Sequence, residues 1–590
     1  MFSALWRCSM RRYIFGWMAV ALVVASAAGC GGNGGDASHY VVPDIPSVSD
    51  SQRTASYLVE DFQKGDDCHL VISTNAKTAQ SRDARKVSVS TDVNYGQGAS
   101  TKQLLAKDED TETYAPIACG FAEAAADISD VEEIESDAGT NSTASARFDG
   151  VDEGHVDWIW AAFNGTANQV YVRKVLADEN TVHCNILSST TLDDADHYVA
   201  DMTKEQALAV AQAFDNEIYN QITKVCGYEW NSGGGQDGDK RVNIVFLRDE
   251  HMKKQDGSTI YGFVSVRDLL PRVSDEYSAK VEKNYSNGGE YIYLNYDLFF
   301  GGDTDATLNT EDLKTALAHE FTHLTQLNQK VAKNGSFAGL GQINPNSSVA
   351  TLYAAVGEPV LTEGLAELGA DLCGFGVKYA DGKTSGKAAS QLSLDAIYRY
   401  MNGKSVFASE GTSGAPTVFP TAFFDEEAVD VAGMGHLFGL HVLGFYGDDA
   451  LSKLYKSSEY GVDLLESALG EPANDVMHRY DMAVALSGLN SIPSKYAKYE
   501  IPYVNLGGSN SYMSGSDAVS SLNIAKAVDA DYRVVDPKLA STFEVLPWLN
   551  CLVHLRCSAS APLSVRTVVP KSAQTNLIHV DENGDIKAIY

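Results

Sequence analysis

Positive charge is scarce in this sequence. Its 590 residues include 45 Lys and Arg against 78 Asp and Glu, which gives a formal net charge of −33 at pH 7. The sequence contains no run of basic residues, and a negative electrostatic field repels nucleic acid phosphates and anionic lipid headgroups. We therefore expect no nucleic acid partner and no electrostatic attachment to a membrane.

Several patterns that would carry other chemistry are also absent. The nine cysteines include no CxxC pair, so the sequence does not support cysteine-based zinc or redox chemistry. The Gly-rich stretch at 233–235 lacks the spacing of a phosphate-binding loop, and no internal repeat is evident. These absences leave histidine and carboxylate side chains as the candidates for chemistry.

The run that could enter a membrane lies at the N-terminus. Arg11 and Arg12 precede a mostly apolar stretch over 13–29 that is too short for a typical spanning helix. It ends in AAGC and resembles a bacterial lipobox, which predicts a lipoprotein signal peptide over 1–29 and a lipid on Cys30. We expect export to the bacterial cell envelope, at the outer membrane or cell surface, with membrane contact through that lipid only. The alternative is an ordinary cleaved secretory signal.

The cysteines that remain after export are odd in number. Loss of Cys8 with the signal and lipidation of Cys30 leave seven, so at least one thiol is free or pairs with another chain. The candidate disulfides are Cys68 with Cys119 and Cys184 with Cys226.

Length and local composition predict several domains of mixed structure. Short β-like runs occur towards both termini, and helical periodicity dominates from about 310 to 490. The fold class is therefore expected to be α+β. The predicted divisions are a flexible tether over 30–55, a small β-rich region with an acidic linker over 56–167, a central catalytic domain over 168–494, and a β-sandwich-like C-terminal domain over 495–590.

The most informative motif is HEFTH, at 319–323. The surrounding residues predict a helix with an apolar stripe, and four residues at about 100° each bring His319 and His323 onto one face, about 40° apart. Two imidazoles one turn apart can bind one Zn²⁺, and Glu320 beside them can act on a zinc-activated water as general base. The alternative is two solvated histidines on a helix surface.

Zinc needs a third protein ligand in addition to these histidines. The metzincin pattern would place a histidine at 329, but the residue is Gln329. A second predicted helix beginning near Pro359 carries Glu363 and Glu367 on one face. We assign Glu363 to the metal and Glu367 to the free N–H of a ligand histidine. Exchange of these two roles, Glu358 as ligand, and a helix with exposed acids are the alternatives.

The HEFTH motif followed by TEGLAE resembles the gluzincins, the thermolysin-like zinc peptidases, and most of all the hyicolysin family. The resemblance covers roughly residues 168–490. It implies a zincin-like catalytic domain with a mixed sheet and active-site helices, in which Glu363 is a ligand and Glu367 supports a histidine. It also implies that Tyr291–Tyr296 forms the edge strand that binds substrate. No GAMEN-type motif is present, which favours an endopeptidase.

The resemblance further implies a downstream His or Tyr that stabilises the oxyanion. His436 is the preferred candidate for this catalytic role, although a lone histidine at such a position is more often a packed structural residue. The other candidates are His441, Tyr398, Tyr400 and Tyr446.

The sequence thus predicts a zinc-dependent endopeptidase acting on peptide or protein substrates. One alternative is a surface lipoprotein that serves as a binding module or adhesin, with an inactive or incidental zincin domain. Another is a zinc hydrolase of non-peptide substrates, which would share the same site.

Overall fold

The structure is a computed structural model. Apart from gaps of a few residues, it describes residues 52–74, 85–93, 118–119, 148–229, 240–265, 286–301, 310–333, 359–375, 417–422, 431–501 and 540–590. The predicted signal peptide, Cys30 and most of the predicted acidic linker lie outside the described residues, so these features stay predictions. All described residues belong to one unit, Ile45–Tyr590.

The strands fall into three sheets. In chain order they are β1 (Gln52–Val59), β2 (Asp67–Ser73), β3 (Arg85–Val93), β4 (Ala118–Cys119), β5 (Val156–Phe163), β6 (Thr166–Lys174), β7 (Cys184–Leu192), β8 (Tyr198–Ala200), β9 (Val242–Leu247), β10 (Ile260–Phe263), β11 (Tyr291–Asn295), β12 (Thr417–Ala422), β13 (Ala540–Val545), β14 (Leu549–Arg556), β15 (Leu563–Pro570), β16 (Gln574–Val580) and β17 (Ile586–Ile589).

The largest sheet is mixed and has eight strands in the order β4-β10-β11-β9-β7-β6-β5, with β8 beside β7. The pairs β7–β9 and β9–β11 are parallel, while β10 runs antiparallel to β11. Every residue of β9 and β11 is buried, as expected for strands covered on both faces. The hairpin β5–β6 belongs to this sheet, so the sheet begins before the boundary expected at 168.

The expectation that Tyr291–Tyr296 forms the edge strand is wrong. Strand β11 pairs with β9 on one side and with β10 on the other, and Tyr296 already begins a helix. The strand outside β11 is the four-residue β10. A run of four residues that includes Gly262 carries too little periodicity to be recognised in the sequence.

The other two sheets pack face to face as a β-sandwich. One has the order β1-β15-β3-β13 and the other β12-β14-β2-β16-β17. Buried side chains from both sheets, including Val87, Val565, Leu70 and Val553, belong to one apolar cluster. Alternate residues at the start of β15 are buried and exposed, which is the period of a strand with one face in a core.

Strands from both ends of the chain alternate in this sandwich. β3 lies between β13 and β15, and β2 lies between β14 and β16. The regions 56–167 and 495–590, which the sequence predicts as separate domains, therefore contribute strands to one sandwich. Their pairing joins residues hundreds of positions apart, and local sequence patterns carry no signal for such contacts.

The helices lie mainly between 204 and 486, and with the mixed and antiparallel sheets they confirm the α+β class. They are α1 (Lys204–Ala213), α2 (Tyr219–Cys226), α3 (Tyr296–Phe300), α4 (Thr310–Lys333), α5 (Pro359–Leu372), α6 (Val431–Phe445), α7 (Asp448–Lys456), α8 (Gly461–Leu469) and α9 (Ala473–Leu486), with one π-helical turn, Phe214–Ile218, between α1 and α2. None of the described helices is both long and apolar enough to cross a bilayer.

Helix α5 is held close to α6 by two glycines. A Cβ atom on Gly364 would lie 2.1 Å from the Gly435 carbonyl carbon, and one on Gly435 would lie 1.8 Å from the Val360 carbonyl oxygen. The two backbones can approach this closely only because neither position carries a side chain. Helix α5 also packs against α4, so it lies between the other two.

The thiols of Cys68, Cys184, Cys226 and Cys373 are free. The candidate disulfides Cys68–Cys119 and Cys184–Cys226 are therefore wrong.

Candidate metal centre

Helix α4 supplies the two histidines. The four apolar residues of its stripe, Leu313, Leu317, Phe321 and Leu324, are buried. Phe321 packs against Phe214 and Tyr219, with ring centroids 5.0 and 5.5 Å away. His319 and His323 are also buried, and their Nε2 atoms lie 3.0 Å apart. The apolar contacts thus hold the helix while both imidazoles meet at one point.

Helix α5 brings a carboxylate to the same point. Oε2 of Glu363 lies 3.5 Å from Nε2 of His319 and 3.5 Å from Nε2 of His323. Atoms arranged tetrahedrally about 2.0–2.1 Å from zinc are separated by about 3.3–3.4 Å. Within the part of the chain that the structure describes, these three residues form the group that could hold a metal ion. Two imidazole nitrogens and one carboxylate oxygen are a ligand set that suits zinc.

Glu367 lies on the other side of His319. Its Oε1 atom is 3.4 Å from His319 Nδ1, so the carboxylate can accept the Nδ1 proton and leave the Nε2 lone pair for the metal. Glu363 faces both Nε2 atoms, whereas Glu367 faces the outer nitrogen of one ring. The geometry therefore matches the assignment of Glu363 as ligand, rather than the exchanged roles.

The charges of the cluster depend on one another. Burial lowers the pKa of His319, but the Glu367 and Glu363 carboxylates outweigh it and raise that pKa to about 10. Burial likewise lowers the pKa of His323, and the opposing effect of the Glu363 carboxylate is too small to reverse this. Burial would raise the pKa of Glu363, but His323 and His319 hold it well below its usual range. Without metal, a proton on His319 thus offsets the buried carboxylates.

Glu320, the residue after His319, lies close to strand β10. A Cβ atom added to Gly262 would be 3.0 Å from Glu320 Oε1, so the glycine lets the strand approach this carboxylate. On the same strand, the ring of Tyr261 lies edge-on to His319, with centroids 5.8 Å apart. Strand β10 therefore borders the candidate site, a position that the sequence predicts for β11.

His436 occupies a different environment from the one expected for an oxyanion donor. It is fully buried where α6 packs on α5, and its Nε2 atom is within hydrogen-bond distance of Asp371 Oδ2. Burial lowers the pKa of His436, but Asp371 outweighs this effect and raises it. Burial would raise the pKa of Glu367, but His319 and, to a smaller extent, His436 lower it. His436 thus forms a buried ion pair with Asp371.

Among the other oxyanion candidates, the two that the structure describes, His441 and Tyr446, contact residues outside the cluster. The Tyr446 hydroxyl contacts Arg479, His441 packs against Phe445 and Tyr446, and Tyr398 and Tyr400 lie outside the described residues. Asp371 was not assigned a role from the sequence. The sequence nevertheless contains a pattern that could have identified Asp371, because Glu363, Glu367 and Asp371 recur at four-residue spacing along one helix.

Part of the chain is similar to a known metalloprotease. The chain is 27% identical over 146 residues to the neutral metalloprotease ShpI of Staphylococcus hyicus. The matched segment is 25% of this chain and 29% of that protein, so the chain spans less than a third of the relative's length. No family model matches the chain. The similarity and the His-His-Glu cluster together support a metallopeptidase, with zinc as the metal that best fits the ligands.

Proposed function

We propose that this protein is a zinc-dependent endopeptidase of the gluzincin type, most like the hyicolysin family. The observation that carries the proposal is the cluster of His319, His323 and Glu363, whose three facing atoms are 3.0 and 3.5 Å apart. The similarity to a staphylococcal neutral metalloprotease supports the same reaction class. Because the match covers a quarter of the chain, the assignment to the gluzincins and to the hyicolysin family is part of the proposal.

The reaction is hydrolysis of a peptide bond by water. Zinc held by the three ligands would lower the pKa of a bound water to about 7 and polarise the scissile carbonyl. Glu320 accepts a proton from the attacking water and returns one to the leaving nitrogen, so that one water is added across the C–N bond. Glu367 holds the His319 ring in place through Nδ1.

The test compares zinc content and casein hydrolysis in the wild type and in Glu320→Gln. The variant should keep its zinc and lose activity by about 10²–10⁴-fold, the usual contribution of general acid–base catalysis. The matched control is Glu311→Gln, which changes an acid in the first turn of the same helix and should leave activity unchanged.

Three results would overturn parts of the proposal. Activity that survives Glu320→Gln would remove the mechanism. A correctly folded wild type that binds zinc but hydrolyses no protein would favour a binding module or a hydrolase of other substrates. A wild type that cleaves casein but not peptides blocked at both ends would argue against the endopeptidase assignment.

The location of the enzyme is a separate proposal. We propose that the signal peptide over 1–29 is removed and that Cys30 carries the lipid that anchors the protein to the bacterial cell envelope. The AAGC sequence before the glycine-rich tether supports this attachment. Cys30→Ser should abolish labelling by a fatty-acid analogue and release the protein from the membrane fraction. Retention of both would exclude lipidation at this residue.

A further inference from the structure

The outer edge of β10 is occupied by another part of the chain. Strand β4 (Ala118–Cys119) pairs with it in parallel, with Ala118 opposite Ile260 and Cys119 opposite Gly262. It is the last strand of the eight-stranded sheet on this side. A segment that precedes β10 by more than a hundred residues therefore closes this end of the sheet.

This edge lies beside the catalytic groups. Gly262, the partner of Cys119, is the residue whose missing Cβ makes room for Glu320 Oε1. The preceding residue, Tyr261, contacts the His319 ring. The backbone of β4 therefore runs along the strand that flanks the general base.

An exposed strand edge is also the most direct way to hold an extended peptide. Its unpaired N–H and C=O groups bind the main chain of any sequence, while pockets select side chains. A peptide held against β10 would have its backbone beside Glu320, where a scissile bond must lie. Strand β4 uses the same edge, so the two cannot bind there together.

The pairing of β4 is a weak one. It extends over two residues, and its register shifts between Ile260 and Gly262. Parallel ladders are also slightly less stable per residue than antiparallel ones. A longer antiparallel peptide could therefore displace β4 at modest cost.

We propose that Ala118–Cys119 is an intramolecular competitor, which occupies the substrate-binding edge of β10 and must leave before a peptide can bind. The inference rests on the proposed peptidase function and adds a form of regulation to it. Its effect is on substrate affinity, because β4 and substrate compete for one surface while zinc and Glu320 are unchanged.

The first experiment replaces both residues in the full-length protein by proline, Ala118→Pro with Cys119→Pro. Proline has no N–H to donate and is disfavoured within a paired strand. KM for a blocked peptide should fall by about tenfold, which corresponds to one or two backbone hydrogen bonds, and kcat should stay unchanged. The matched control, Ala124→Pro, introduces the same residue elsewhere in this region and should leave KM unchanged.

The second experiment adds a competing peptide and requires no further substitution. A synthetic peptide with the sequence of residues 114–122 is added to the wild type and to the proline variant. It should inhibit both competitively, and the variant at lower concentration. This measurement decides the matter if the proline variant fails to fold.

The outcomes separate the inference from the proposed function. An unchanged KM in a folded proline variant, or no competition from the peptide, would overturn the inference while Glu320-dependent activity persists. If no activity depends on Glu320, the proposed function itself fails, and the inference with it.

Discussion

Nδ1 of His319 lies 3.4 Å from Oε1 of Glu367, four residues after the proposed metal ligand Glu363 on the same helix. This contact joins the two helices through the ring that must present Nε2 to the metal. Replacing Glu367 by Gln removes the charge that favours the Nδ1 proton, so zinc affinity should fall by about 10–100-fold. Competition with a chromophoric chelator measures the change. An affinity equal to that of the wild type would show that the contact does not support the ligand.

The approach of β10 to Glu320 predicts a defect in catalysis without loss of metal. In Gly262→Ala, the new Cβ would meet Glu320 Oε1 at 3.0 Å, and either the carboxylate or the strand must shift. Because misplacement of a catalytic group by about 1 Å can cost 10²-fold in rate, kcat should fall by about one to two orders of magnitude. Zinc content should remain close to wild type, whereas thermal stability should fall, because the same Cβ would also lie 3.0 Å from Leu294 Cδ2 and from the Tyr293 carbonyl oxygen. Loss of zinc in this variant would contradict the prediction.

Zinc binding to the metal-free protein should release a proton from the site. At neutral pH the raised pKa of His319, about 10, keeps a proton in the metal-free cluster, and zinc must displace it. Calorimetric titrations in two buffers of different ionisation enthalpy should therefore show about one proton released per zinc. At a free zinc concentration of 100 times Kd, the metal should raise the free energy of unfolding by about 2.7 kcal/mol.

Zinc binding without release of a proton would contradict this prediction. The apparent affinity should also strengthen as pH rises from 6.5 towards 10, since fewer sites then carry the proton. The matched control is His319→Ala, which removes the titrating group and should remove most of this pH dependence along with tight binding.

The sequence was most informative where the functional residues and the apolar pattern that orients them lie on one helix. His319, Glu320 and His323 share five consecutive residues, and the apolar stripe of α4 fixes which face they occupy. The helix of Glu363 was predicted from Pro359 and its four-residue acid spacing. Local patterns of this kind report the face of one element, which is all that these assignments required.

The sequence was least informative where the structure depends on contacts between distant segments. Nothing near Ala118 indicates that it pairs with Ile260, and nothing in β2 or β3 indicates C-terminal partners. The position of His436 shows the same limitation. Its ion pair with Asp371 depends on how closely α5 and α6 pack, and this follows from Gly364 and Gly435 together.

The contact between β2 and α9 predicts a pH-dependent effect on stability. Asp481 is buried and accepts a hydrogen bond from the Ser73 hydroxyl, and burial raises its pKa well above the usual value. A pKa that is higher in the folded state gives stability at low pH that is lost as pH rises. Asp481→Asn should therefore match the wild type at pH 3 and become increasingly more stable than it above pH 4.

The gain should approach about 1.4 kcal/mol per pH unit until the pH reaches the folded-state pKa of Asp481. Urea unfolding of both proteins at pH 4 and pH 7 measures it. A difference that is the same at both pH values would mean that the carboxyl group ionises normally in the folded protein.

The interleaved sandwich predicts that the N-terminal region remains bound after the chain is cut. β2 and β3 are interior strands, each paired on both sides with strands that follow residue 540. A recognition site for a specific protease, inserted after Asp137, allows one cut between β4 and β5. The two fragments should then co-elute under native conditions and separate in denaturant, because their separation would expose the shared apolar core and break six strand pairings, which include β1 with β15 and β4 with β10. Separation without denaturant would instead identify the N-terminal region as a detachable propeptide.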